Sequence, residues 1–288
     1  MMTRLPVIDA HVHFWDPRRL RYPWVAGAPV LDRPFVPADF ESLVSRHVDA
    51  VVFVEANVEP AQAADEVAWV DGLADADPRI VGIVAFVDLL DEAQRDAALG
   101  RLGRTSRVVG VRHNIQQQPP GFALRPEFVR GVRAVSDAGW PFDLCITGDQ
   151  LPEVLRLVER CPDATFVLDH CGKPAIRDGE FDEWARDLEQ LAGHERVSCK
   201  LSGLLTESRE EQRSAAALAP WIEHARTCFG ASRLLYGSDW PVSTLGGGAR
   251  RWREIVDELT GPWPEADRRA LFADNAARVY RVSVPVHG

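Results

Sequence analysis

Short runs of β-branched and aliphatic residues alternate with longer stretches whose apolar positions return every three or four residues. The short runs predict strands at Val7–Phe14, Ala50–Ala56, Ile80–Val87, Val108–His113, Pro141–Thr147, Thr165–His170, Val197–Leu201 and Arg233–Gly237. Between them, amphipathic stretches predict helices at Gln62–Ala76, Asp91–Arg101, Pro126–Ala138, Pro152–Cys161, Glu183–Ala192 and Ala215–Phe229. The third of these helices has a proline at its start and Gly139 just past its end, as helix termini favour. Strand and helix in strict alternation imply a parallel sheet. Eight such units in 288 residues favour a closed (β/α)8 TIM barrel over an open doubly wound sheet. The first strand is not followed by a GxGxxG turn, so a dinucleotide-binding sheet loses its best support. No linker or low-complexity segment interrupts the pattern, and residues 1–288 read as one barrel domain.

Barrels of this kind carry their reactive groups at the C-terminal ends of the strands. Here those ends read His11 and His13, Glu55 to Asn57, Asp88, Arg112-His113-Asn114, Thr147, Asp169-His170, Lys200 to Ser202 and Ser238-Asp239-Trp240, while the strand starts are bland. By strand alternation, Asp9, His11 and His13 share one face, and Ile8, Ala10 and Val12 share the other, which packs against helices. Asp239 is the first candidate for a general base, since an ordinary carboxylate is ionised at neutral pH. His11, His13 and His170 suit either a single divalent ion held together with Asp239 or direct hydrogen bonds to a carbonyl oxygen. Either arrangement makes an ester carbonyl more electrophilic and stabilises the oxyanion that follows.

Other positions leave alternatives open. Glu55 is an inward functional group or an outlier at a strand end. Arg112, His113 and Asn114 are consecutive, so they cannot all face inward unless the strand ends there. Lys200 either meets a substrate oxygen or pairs with a neighbouring carboxylate. The Trp15–Ala38 loop, with Trp24 and five prolines, is a binding loop or a surface loop held by its own aromatics. Gly246-Gly247-Gly248 lacks the Lys-Ser/Thr of a phosphate loop and reads as a connection. His47, His194, His224 and His287 fall in helical or terminal segments and are expected on the solvated surface.

Composition narrows the partners. A formal charge of −10 argues against nucleic acid, whose binding needs a concentrated basic surface. No apolar run approaches the ~20 residues that span a bilayer. The opening Met1–Pro6 lacks the apolar stretch of a secretory signal, so a cytoplasmic location is expected. A small-molecule substrate is the expected partner, and a homo-oligomer is compatible with the sequence. The five cysteines are scattered without a CxxC pair, and Cys171 reads as a small buried thiol rather than a nucleophile.

The strings Ile8-Asp-Ala-His-Val-His-Phe-Trp15, Gly110-Val-Arg-His113, Val167-Leu-Asp-His-Cys-Gly-Lys-Pro174, Cys199-Lys-Leu-Ser-Gly203 and Tyr236-Gly-Ser-Asp-Trp-Pro-Val242 occur in order. They resemble the amidohydrolase superfamily, in its branch of sugar lactonases of the L-fuconolactonase and L-rhamnonolactonase type, to which 2-pyrone-4,6-dicarboxylate lactonase is related. The closing Phe272–Tyr280 resembles that branch's terminal helix, and the likeness spans about residues 6–281. The resemblance implies a distorted (β/α)8 barrel of amidohydrolase type. It also implies ring opening of a lactone by water, with Asp239 as base and His11, His13 and His170 around the scissile carbonyl. Members of the branch hold a zinc ion or work without metal. No histidine lies between His113 and His170, so a binuclear centre is not expected; one divalent ion, zinc first, or none fits better.

A dicarboxylate lactone demands several arginines, and Arg112 is one candidate without a convincing set beside it. A polyol lactone is better met by Asn114, Lys200, Glu55 and the Trp24 loop through stacking and hydroxyl hydrogen bonds, and Arg112 and His113 complete the candidate substrate contacts. The alternatives are a metal-dependent decarboxylase of an unsaturated acid on the same fold, or a non-catalytic sugar-binding barrel.

Overall fold

The computed structural model describes residues 4–44 and 48–285, so His47 and His287 lie outside the described residues. Eight parallel strands stand in sequence order: β1 (Ile8–Val12), β2 (Ala50–Val54), β3 (Ile80–Phe86), β4 (Val108–Arg112), β5 (Phe142–Leu144), β6 (Phe166–Leu168), β7 (Val197–Leu201) and β8 (Leu234–Tyr236). Each lies within its predicted run, and most are shorter by one to three residues at either end. The seam between β8 and β1 is closed by backbone just past β8: His11 O accepts from Asp239 N at 2.9 Å, and His13 N donates to Trp240 O at 2.8 Å. The result is a (β/α)8 barrel.

Its outer layer follows from helical periodicity. Helices α1 (Pro37–Val44), α2 (Ala63–Ala76), α3 (Glu92–Leu102), α4 (Pro126–Asp137), α5 (Leu151–Arg160), α6 (Phe181–Ala192), α7 (Ala215–Phe229) and α8 (Ala249–Thr260) follow the strands in turn. In α5, Leu151, Val154, Leu157 and Val158 form the buried stripe, and in α4 it is Phe128, Val129, Val132 and Val135. The Ser214 side chain accepts from Ala217 N and so fixes the start of α7.

The alternation expected of β1 does not hold, and the reason is a bulge. Asp9 pairs with Val51 but Val12 pairs with Phe53, so β1 carries one extra residue between them. Similar slips separate Val51 from Val52 opposite β3, and Ile83 from Val84 opposite β4. Ile8 and Ala10 therefore pack inside the barrel, with Val52, Val54, Val84, Val167 and Leu235. Past the bulge His11 also faces inward, whereas Val12 joins the outer core with Phe53. Asp9 turns away from the histidines and accepts a hydrogen bond from Ser238 N at 2.8 Å.

The barrel floor is sealed by the end of the chain. After the short helix α9 (Glu265–Arg269), a π-helical turn (Ala270–Asp274) leads into α10 (Asn275–Tyr280). Ala273, Ala276, Val279 and Tyr280 pack beneath Ile8, Ala10 and Leu235. No described helix is long and apolar enough to cross a membrane.

Candidate active site at the barrel mouth

Two backbone devices aim the candidate side chains. Past β6 the chain turns through Asp169–Gly172, with His170 at φ 55° and Cys171 at φ 52°, the sparsely populated left-handed region. Past β8, Asp239 has φ 56°. Two glycines clear space for the histidine side chains. A Cβ at Gly203 would lie 2.6 Å from His170 Nδ1, and one at Gly237 would lie 2.8 Å from His11 Cβ.

His11, His13, His170 and Asp239 converge as expected. Asp239 Oδ1 lies 3.5 Å from His13 Nε2, 3.8 Å from His11 Nε2 and 3.9 Å from His170 Nε2. The Nε2 atoms of His11 and His13 are 3.1 Å apart. All four side chains are at least nine-tenths buried. Burial opposes charge on Asp239, but the surrounding histidines, His170 foremost, outweigh it and hold the carboxyl well below the usual carboxylate range. Burial pushes the His170 imidazole down to about 4 and holds His11 well below the ordinary histidine value.

The donor set fits one divalent ion. His11, His170 and Asp239 offer ligand atoms within 4.8 Å of one another, with His13 Nε2 beside them. A metal-ligating histidine commonly bonds through its second ring nitrogen to a fixed partner. His13 Nδ1 donates to Val54 O at 2.7 Å, and His170 Nδ1 is 2.8 Å from Ser202 Oγ. The Nε2 lone pair of His13 is thereby turned to the cluster.

Beneath the histidines runs a buried chain of charge. Arg112 Nε donates to Glu55 Oε1 at 2.6 Å, and its terminal nitrogen to Asp169 Oδ2 at 3.1 Å. Lys200 Nζ donates to Asp143 Oδ2 at 2.6 Å and to His11 Nδ1 at 3.1 Å. Tyr280 OH donates to both Asp143 oxygens, at 2.8 and 2.9 Å. The two carboxylates answer differently. Burial lifts Asp143 to about 6 although Lys200 opposes it. Asp169 is held well below the carboxylate range, since Lys200, His11 and Arg112 together outweigh its burial.

This network corrects two expected substrate contacts. Glu55 and Lys200 are both fully buried, the first tied to Arg112 and the second to Asp143 and His11, and neither lines the cavity. Arg112 does line it, but its guanidinium is committed to Glu55 and Asp169. His113 is displaced as well. Its Nδ1 accepts from Leu89 N at 3.2 Å and its ring packs on Phe86, Phe122 and Phe128, so it borders an adjoining cavity with Trp24, Asn57 and Asn114 rather than the one above Asp239.

The cavity above the cluster measures about 260 Å³ and is lined by Trp24, Asn57, Asn114, Gln116, Lys173 and Glu207 with His13, His170 and Asp239. Trp24 and Asn114, two of the sequence's candidates, are among these lining residues. The loop that carries Trp24 is held by its own aromatics and also contributes to the cavity wall. Trp15 packs on Tyr22, Trp24 and Phe35, while Trp24 Nε1 donates to Ala56 O at 2.7 Å. Lys173, Gln116 and Glu207 escaped sequence reasoning. Lys173 sits within the Val167–Pro174 string and hydrogen-bonds Gln116, whereas Glu207 lies in a loop with no pattern to mark it. Burial raises the Glu207 carboxyl, with Lys173 opposing.

Two further expectations resolve. His224, expected in solvent, packs on Phe181 and Trp184 with Nε2 2.9 Å from Ala185 O, and His194 is half-buried. Cys171 is buried against Lys200 O, the small-thiol reading.

Histidines and a carboxylate gathered at the C-terminal mouth of a (β/α)8 barrel point to a class, and the chain belongs to it: residues 8–282 match the amidohydrolase family. It is 33% identical to an L-fucono-1,5-lactonase of Burkholderia multivorans, over 96% of this chain and 97% of that protein. It is 25% identical to an L-rhamnono-gamma-lactonase of Scheffersomyces stipitis, over 61% of this chain and 59% of that one. A crystal structure of a Burkholderia multivorans amidohydrolase with bound zinc superposes with a TM-score of 0.85 at 32% identity, covering 96% of this chain and all of that one.

Proposed function

We propose that this protein opens a neutral sugar lactone with water to give the hydroxy acid. The observation that carries the reading is the convergence of three imidazoles on Asp239 Oδ1 at the floor of a sugar-sized cavity. Its likeness to the fuconolactonase and the rhamnonolactonase supports the same chemistry.

Asp239 takes a proton from water as the water oxygen bonds to the lactone carbonyl carbon. The imidazoles of His11, His13 and His170 surround the carbonyl oxygen as it becomes an oxyanion. When the ring C–O bond breaks, Asp239 returns the proton to the departing ring oxygen. A divalent ion, zinc first, would be held by His11, His13, His170 and Asp239; when bound it polarises the carbonyl and acidifies water.

Charge favours a neutral polyol ring over a dianion. Among the described residues lining the cavity, the Lys and Arg side chains are Arg112 and Lys173. Arg112 is neutralised by Glu55 and Asp169, and Asp239 and Glu207 add negative charge. Trp24 offers a face for the sugar ring, and Asn57, Asn114 and Gln116 offer hydroxyl partners.

The test is acid release from 1,5- and 1,4-aldonolactones and from a dicarboxylate pyrone lactone, with the metal content of the same preparation measured. Neutral aldonolactones should be hydrolysed and the dicarboxylate left intact. No release above the buffer rate from any lactone, with and without added zinc, overturns the reading.

A further inference from the structure

The cavity above Asp239 shares its wall with a second one. Trp24, Asn57, Asn114, Gln116 and Gln117 line both, and the second measures about 430 Å³. The first, at about 260 Å³, falls below the ~300–1,000 Å³ common for small-ligand sites, whereas the second lies within that range. Across the shared wall Asn114 Nδ2 donates to Asn57 Oδ1 at 3.4 Å, a long bond that ligand hydroxyls can readily replace.

The lining of the second cavity has a definite chemistry. Phe86 and His113, their ring centroids 5.2 Å apart, give it ring surfaces, and Val58 and Pro60 add aliphatic ones. Opposed to these are five side-chain amides, on Asn57, Asn114 and Gln116 to Gln118. Those of Gln117 and Gln118 bond to no other described residue. Apolar surface for C–H groups together with amides for hydroxyls is what a sugar ring requires. Among the described residues lining this cavity, Glu59 is the one charged side chain, and it is paired with Arg21 at 3.9 Å. A phosphate or carboxylate would find no lining cation; a neutral polyol needs none.

The wall is also set in place in advance. Glu55 Oε2 accepts from Asn57 N at 2.7 Å and holds that residue at φ 52°. Ile115 N and Gln116 N donate to Cys145 O at 3.1 and 2.9 Å, and Gln118 N donates to Ile115 O, closing a turn with Gln117 at φ 66°. Two non-glycine residues in the left-handed region thus flank one opening, the kind of strain that folded chains concentrate at ligand sites. Side chains fixed before a ligand arrives lose little freedom on binding it.

We propose that the second cavity is a subsite for an additional neutral sugar ring, and that the preferred substrates are aldonolactones bearing a glycosyl substituent. The lactone ring lies over Asp239 and the second ring against Phe86 and the glutamine amides, with Trp24 between them. No bond to the second ring is made or broken: water opens the lactone C–O bond, and the product is a glycosylated hydroxy acid. The inference rests on the lactonase reading and extends it.

The test compares steady-state kinetics on glucono-1,5-lactone and galactono-1,4-lactone with those on their α- and β-linked hexosyl derivatives. At least one glycosylated lactone should have a KM about tenfold or more below that of its parent, the worth of one or two neutral hydrogen bonds. Gln118 lines only the second cavity, so Gln118→Ala should shrink that advantage several-fold and leave the parent lactone's kinetics unchanged. Parent lactones opened with no gain from any hexosyl group overturn the subsite alone. So does a gain that Gln118→Ala leaves intact, or an equal gain from a benzyl ether in place of the sugar, which would assign the cavity to apolar groups. If that variant does not fold, the wild-type comparison with hexosyl and benzyl derivatives decides. No opening of any lactone, simple or glycosylated, instead overturns the lactonase reading and this inference with it.

Discussion

Asp239 combines two properties that seldom coincide, full burial and retained charge. Burial disfavours the carboxylate, and the three imidazoles within 3.9 Å more than restore it. Asp239→Asn keeps the side-chain shape and removes the proton acceptor. Its kcat/KM on a neutral aldonolactone should fall about 10²- to 10⁴-fold, the usual worth of a positioned general base. Undiminished turnover in steady-state assays would return the molecule to the non-catalytic barrel. The pH profile follows from the same environment. With His170 pushed down to about 4 and Asp239 below the carboxylate range, activity should persist through the interval where an ordinary histidine titrates. It should fall only as pH drops toward about 4. A midpoint near 6.5 in the acid limb of kcat/KM would show that the imidazoles titrate as exposed ones do.

At the scale of elements, the end of β4 shows how one strand divides its work. Arg112 turns in to Glu55 and Asp169, while the next residue, His113, turns out onto Phe86, Phe122 and Phe128. His113 accepts a backbone hydrogen bond on Nδ1, so the folded ring must stay neutral there, and burial lowers its pKa. The unfolded chain takes up a proton below about 6.5 that the folded ring refuses, so this residue costs stability as pH falls through that value. In His113→Gln, which retains an acceptor without a titration, the melting temperature should depend less on pH between 7 and 5. Parallel melting curves for the two proteins would refute the assignment. This element also marks the limit of what a sequence discloses. All eight strands and the polar residues at their ends were legible, because alternation of apolar runs reports strands directly. The bulge in β1 was not, since one extra residue leaves no compositional trace yet reverses the facing of Asp9. Nor was the depth of Lys200 and Glu55. A polar residue at a strand end looks the same whether it meets substrate or another buried charge, and its partner Asp143 stood unremarked within an apolar run.

At the scale of the whole molecule, the chain's last helix is wired to its first strand. Tyr280, in α10 at the barrel floor, donates to Asp143; Asp143 holds Lys200; and Lys200 holds His11 at the mouth. Tyr280 also lies against Lys200, with Nζ 5.4 Å from its ring centroid. The Asp143 carboxylate is fully buried, and its partners are this hydroxyl and the Lys200 ammonium. Tyr280→Phe keeps the ring among Ile8, Ala10 and Val279 and removes only the hydroxyl, so packing is conserved while a buried carboxylate loses a donor. The expected cost is about 1–3 kcal/mol, which lowers the melting temperature by several degrees in a chain of this size. Asp143 would meet the loss by binding a proton more tightly, since its carboxyl is already lifted to about 6. The stability deficit of Tyr280→Phe should therefore shrink as pH falls from 7 toward 5 and the carboxyl is neutralised. Calorimetry of wild type and variant across that interval measures it. A deficit constant with pH would mean that the hydroxyl contributes only packing, and that floor and mouth are not joined through Asp143.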